Sequence, residues 1–174
     1  MRFLMMIMML FPVSLFAETF DVAKIQSSNV QWLAVGNPGF LKIESKNATL
    51  SGQLDLNDGT MSGTLVMKLD DMKTGIKLRD DHTKEKYLET SKYPDAKFVL
   101  EPTKMASAFK AKGMLSLHGV DKAVSWDCQA AKGGGSRKIS CVSTILLTDF
   151  NIAIPTYLGV TVAKDVKIKV VLVI

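Results

Sequence analysis

The chain is short of the residues from which most catalytic and metal sites are built. Its 174 residues include two histidines, His82 and His118, and two cysteines, Cys128 and Cys141. The histidines lie 118 − 82 = 36 residues apart, a separation that selects for no metal, and two turn or helix-start histidines explain them without one. The cysteines lack the close spacing of a metal or redox pair. No serine stands in a Gly-x-Ser-x-Gly context, so an obvious nucleophile is missing. The net charge is +5, but lysines and arginines are scattered singly between acidic residues. A nucleic-acid binder would cluster them, and no nucleic-acid partner is expected. Repeats, linkers and low-complexity segments are also missing, which leaves one domain large enough to bury a core.

What is present begins with a leader. MRFLMMIMMLFPVSLFA carries one positive charge at Arg2, then an apolar run that ends near Ala17. That is the layout of a secretory signal peptide, residues 1–17. The run is about fifteen residues, short of the roughly twenty that an uncleaved membrane anchor needs. Removal after Ala17 leaves 174 − 17 = 157 residues (18–174) in one domain, periplasmic or secreted. Export places Cys128 and Cys141 in an oxidising compartment, where a disulfide is favoured over a metal or redox role. Such a bridge contributes about 3 kcal/mol on a chain-entropy account. Asn47-Ala48-Thr49 matches a glycosylation sequon, most simply an accidental one.

After the leader the hydrophobic period is two nearly everywhere, the mark of strands with one buried face. Leu50, Gly52, Leu54 and Leu56 alternate with polar residues, Asp58-Gly59 signals a hairpin, and Met61, Gly63, Leu65, Met67 and Leu69 return. Ala96, Phe98 and Leu100 read as a strand that stops before Pro102, and Phe109 to Leu117 as another. His118 to Lys122 turns the chain, and Val124, Trp126 and Cys128 share a face of the next strand. Ile139, Cys141, Ile145 and Leu147 share a face of the one after, so the cysteines have the parity of a cross-strand bridge. Val166, Ile168, Val170, Leu172 and Ile174 end the chain. About eight antiparallel strands resolve their edges by curling into a barrel, whose interior takes side chains or one slender ligand. Gly52, Gly63 and Gly113 fall on the apolar parity and read as bulges or bends. Trp32 and Trp126 read as packing.

One stretch breaks the rhythm. Residues 79 to 92 favour a short helix, with Asp80 or Asp81 as its N-cap and Pro94 starting the next strand. Arg79-Asp80-Asp81-His82 has the residue types of an acid/base cluster. Adjacent residues on a helix point in different directions, however, so capping and local ion pairs explain it more simply.

TGIKLRDDHTKEKYLETSKYPDAKF (74 to 98), GMLSLHGVDKAVSW (113 to 126) and LTDFNI (147 to 152) resemble the signature stretches of the YceI-like polyisoprenoid-binding proteins. Arg79, Asp80, His82, Tyr93, Pro94, His118, Gly119, Asp149 and Phe150 carry the resemblance, which covers roughly residues 40 to 172. It implies an extended lipocalin-like antiparallel barrel, all-β with one short α-helix in a crossover, and an elongated apolar cavity for a polyisoprenoid chain. Members are exported and generally non-enzymatic.

The two lines of reasoning meet in one expectation, a non-catalytic carrier of a polyisoprenoid-type lipid such as a quinone tail or polyprenyl chain. The lining is expected from Leu54, Leu56, Leu65, Met67, Phe98, Leu115, Leu117, Ile145, Leu147, Val166 and Ile168, with the helix near the mouth. No metal or cofactor beyond the bound lipid is expected. Expected partners are the isoprenoid ligand, a transient membrane or membrane-protein contact, and a second copy in a homodimer. Two rivals are an exported interaction module with a packed interior, and a hydrolase using Asp80, Asp81 and His82.

Overall fold

The computed structural model describes residues 17–25, 27–37, 42–45, 48–157 and 160–174. The leader, apart from Ala17, and the sequon's Asn47 lie outside the described residues. In chain order the strands are β1 (Glu18–Asp21), β2 (Ser27–Asn37), β3 (Lys42–Glu44), β4 (Ser51–Asn57) and β5 (Thr60–Lys68). A 3-10 turn at Leu69–Asp71, helix α1 (Lys77–His82) and a π-helical turn at Thr83–Tyr87 form the crossover. Then come β6 (Asp95–Lys104), β7 (Ala108–Leu117), β8 (Val120–Gly133), β9 (Ser136–Leu146), a 3-10 turn at Leu147–Phe150, β10 (Thr156–Tyr157) and β11 (Val160–Val173).

All paired strands are antiparallel and form one sheet in the order β1-β4-β5-β6-β7-β8-β9-β11-β2-β3, with β10 on β11. Eleven strands replace the expected eight or so because β1, β3 and β10 are only four, three and two residues long. Pieces that short carry too little alternation to register as strands in a sequence. The sheet curls into a half-barrel rather than a ring sealed by one continuous ladder. Its ends are drawn together by the Val30 and Ala48 bridge and by Ser28, whose Oγ donates to the Leu50 carbonyl and accepts its N–H.

The pleat explains the alternation. In β4 Leu54 is buried between exposed Gln53 and Asp55, and in β7 Ala111, Gly113, Leu115 and Leu117 are buried while Lys110, Lys112 and Met114 are exposed. Removing a leucine side chain from water in this way stabilises the fold by about 1.5–3 kcal/mol.

Three expectations are corrected. Strand β6 does not stop before Pro102 but runs to Lys104. Its pairing with β5 slips between Met61 opposite Thr103 and Gly63 opposite Leu100, so Pro102 sits in a bulge where its missing N–H costs no ladder bond. The chain reversal after β7 is tighter than His118 to Lys122: His118 and Gly119 alone make it, both at positive φ (52° and 72°), with Leu117 opposite Val120. Helix α1 starts earlier than expected, with Ile76 as N-cap and no side-chain cap. Asp80 does not cap it because that carboxylate reaches back to Thr74 instead.

Cys128 and Cys141 stand directly opposite on β8 and β9 and are joined in a disulfide. The bridge fits export to an oxidising compartment.

Candidate ligand cavity

Inside the curl lies an apolar cavity of about 100 Å³, bordered by β2, β4 to β9, β11 and the residue before β4. Its seventeen lining residues are all apolar, so nothing charged waits there for a polar substrate. Phe98 and Trp126 meet edge to face across the wall, ring centres 5.7 Å apart. Gly113 permits that packing: a Cβ there would stand 2.7 Å from the Phe98 ring and 2.1 Å from the Val99 carbonyl oxygen.

Six residues expected in the lining do border the cavity: Leu54, Leu65, Met67, Phe98, Leu115 and Ile168. Five do not. Leu117, Ile145, Leu147 and Val166 are buried core residues that do not border it, and Leu56 is partly buried beside the β4-β5 hairpin. Parity puts a side chain on the inner face, but not at the depth where the space is. Met61, Leu100, Trp126, Ile139 and Leu172 border the cavity without having been expected there. Their inward parity was the signal that could have found them.

The crossover is held to the barrel by a polar clamp. His118 is largely buried; its Nδ1 lies 3.0 Å from the Phe150 carbonyl oxygen and its Nε2 2.8 Å from Oε2 of Glu89. Both partners are acceptors, so the ring is held from two sides. Tyr93 packs on His118 at 4.7 Å between ring centres, and Lys92 Nζ lies 4.9 Å from the centre of the Tyr93 ring. A Cβ on Gly119 would come within 2.6 Å of the Tyr93 ring, so a larger residue there, at a φ of 72°, would push Tyr93 aside. Beneath the clamp Phe150 is 1% exposed. Leu69 donates its N–H to the Pro94 carbonyl at 2.8 Å, tying the two ends of the crossover together.

With the barrel, cavity and clamp in place, the chain can be set beside known proteins. The pattern of the YceI-like domain matches residues 17–174. The chain belongs to the YceI-like family. Similar solved structures include BcnA of Burkholderia cenocepacia, at 21% identity and TM-score 0.74, covering 88% of this chain and 98% of that one. A polyisoprenoid binding domain from Saccharophagus degradans, implicated in plant cell wall breakdown, has 15% identity and TM-score 0.64, covering 91% and 97%. The YceI protein of Campylobacter jejuni has 18% identity and TM-score 0.59, covering 98% and 90%. At these identities the likeness speaks to fold. No curated protein matches the sequence.

In this YceI-like chain eight of the nine signature residues divide into three groups, and the ninth, Pro94, is the acceptor for Leu69. Tyr93, His118, Gly119 and Phe150 meet in the clamp, joined by Glu89, whose role no local sequence signal foretold. Arg79 and Asp80 converge on Thr74: Arg79 Nε donates to its Oγ1 at 2.7 Å, and Asp80 accepts from its N–H at 2.8 Å and from its hydroxyl. Partial burial works to raise the Asp80 pKa, but the hydrogen bonds from Thr74 and Gly75 and the Arg79 charge outweigh it and hold the carboxyl below its ordinary value. His82 and Asp149 are exposed. Asp81 pairs with Lys77 at 2.6 Å. The Asp80, Asp81 and His82 side chains thus go three ways, and they form no acid/base pair. Among the described residues no three potential ligands gather where a metal could sit.

A wider hollow, about 910 Å³, lies open across β7, β8, β9, β11 and β2. Its lining is mixed, with Lys110, Asp127, Lys167 and Lys169 beside Trp32, Phe109 and Val142, unlike the wholly apolar wall of the inner cavity.

Proposed function

We propose that this protein sequesters or shuttles a polyisoprenoid-type lipid, the tail of a quinone or a polyprenyl chain, through the periplasm without altering it chemically. One observation carries the reading: the interior space is walled by seventeen apolar side chains and no charge. Each methylene removed from water gains about 0.8 kcal/mol, so such a wall favours a neutral hydrocarbon chain over any charged solute. Kinship with a polyisoprenoid binding domain points the same way. Asp80 is bonded to Thr74, Asp81 is paired with Lys77 and His82 is exposed, which supports a role without catalysis.

The space of about 100 Å³ is less than a multi-unit isoprenoid requires, since ordinary ligand pockets span roughly 300–1,000 Å³. The chain therefore enters by displacing wall side chains. Met61 and Met67, with unbranched thioethers, are the ones that repack most readily.

The same small volume favours a second reading, an exported interaction module with a packed interior. Native mass spectrometry of protein recovered from its own envelope separates the two. A stoichiometric lipid is expected; if exhaustive extraction yields none and added polyprenols leave the melting temperature unchanged, the packed module stands instead.

A further inference from the structure

Helix α1 is turned inside out. A surface helix ordinarily buries its apolar residues and shows its charges to water. Here Arg79 and Asp80 are the half-buried side chains, held to Thr74, while Ile76 and Leu78 are each 55% exposed. They are the most exposed large hydrophobics among the described residues, and α1 buries none of its own. The crossover that carries them leaves the sheet just after Met67 and rejoins it just before Ala96, and both of those residues border the cavity. Its charges cancel: between Leu69 and Lys92 there are six Lys and Arg against six Asp and Glu. Around the apolar pair they cancel locally as well, through Lys77 with Asp81 and Arg79 with Asp80.

We propose that the Ile76–Leu78 turn is a docking point for a zwitterionic phospholipid bilayer, at the end of the barrel where the ligand crosses between membrane and cavity. The patch has the two properties such a surface demands. Two branched aliphatic side chains reach into the boundary between headgroups and acyl chains, and no net charge favours or opposes an uncharged surface. An acidic partner would call for an excess of lysine that the crossover lacks. The proposal rests on the lipid-carrier reading, because carriage requires a membrane contact.

The test is flotation of the processed protein with vesicles of phosphatidylcholine and phosphatidylethanolamine. Wild-type protein should float, equally well in about 0.5 M salt, where exposed charges are screened. The double variant Ile76→Ser/Leu78→Ser should lower the bound fraction about tenfold. Val99→Ser/Met114→Ser, an exposed apolar pair on β6 and β7, should leave it unchanged. Failure to float, equal flotation of the first double variant, equal loss in the second, or binding that needs anionic lipid and vanishes in salt would each overturn the proposal. A parallel titration with a short isoprenoid alcohol, free of vesicles and read from the fluorescence of Trp126 in the cavity wall, separates this failure from that of carriage. The Ile76→Ser/Leu78→Ser protein should respond as wild type does. A response without flotation sinks docking and spares carriage; flotation without a response in either protein sinks carriage and spares docking.

Discussion

The middle of the barrel and its crossover end are built from different materials. In the middle, Leu54, Leu65, Phe98, Leu115 and Trp126 meet across strands whose partners are fixed by register, and the contacts are wholly apolar. At the crossover end, order depends on a handful of polar contacts: His118 to Glu89 and Phe150, Thr74 to Arg79 and Asp80, and Thr90 Oγ1 to Asp70 at 2.8 Å. Apolar packing is tolerant of shape and can yield to a ligand. A hydrogen-bonded clamp has few geometries, and losing Glu89 would leave the largely buried His118 without that partner. The region fit to hold a chain and the contacts that pin the crossover to the barrel are therefore separate.

The largest effect is expected where the clamp rests on the core. Phe150→Ala removes a ring that is 1% exposed and should cost about 3–5 kcal/mol, read from chemical denaturation. A loss below 1 kcal/mol would show that the crossover end is not anchored as described. Next comes the disulfide: Cys128→Ser/Cys141→Ser, or reduction, should cost about 3 kcal/mol while leaving the strand content measured by circular dichroism in place. His118→Ala should cost about 1–3 kcal/mol and speed amide exchange in residues 83–93 more than in β7 or β9. Uniform exchange across the barrel would erase the distinction between the two regions.

A change in the middle should do the reverse. Leu65→Trp fills the cavity wall and should abolish the rise in melting temperature caused by added polyprenol, at a stability cost of about 1–3 kcal/mol from overpacking. The smallest effect concerns Asp80. Its folded-state pKa is lowered, so its contribution is present above the unfolded carboxyl pKa of about 3.9 and is lost as pH falls through the folded value. Asp80→Asn should therefore be less stable than wild type near neutrality, and the gap should close in acid. A gap that persists at low pH would mean that Asp80 acts through shape rather than charge.

The middle of the barrel was the legible part of the sequence. Period two marks the inner face of β4 to β9, and shared parity alone pairs Cys128 with Cys141. The short β1, β3 and β10 fell below what a two-residue rhythm can register, and Pro102 looked like a strand end because a bulge is invisible without its partner strand. Arg79-Asp80-Asp81-His82 read as a helix cap, whereas the helix begins at Lys77 and Asp80 folds back on Thr74. Glu89 carried no sign of its bond to His118, twenty-nine residues away.

Which face of the long strands turns inward and which cysteines meet are consequences of local alternation, and the sequence determined them alone. The depth of each inward side chain was decided only in three dimensions, which is why Leu65 borders the cavity while Leu117 and Val166 are core residues that do not. The clamp at His118 and the outward turn of Ile76 and Leu78 were decided there too. Alternation repeats every two residues and fixes a face, but where a twenty-six-residue crossover from Leu69 to Pro94 lands depends on contacts far apart along the chain, to which no local period is sensitive.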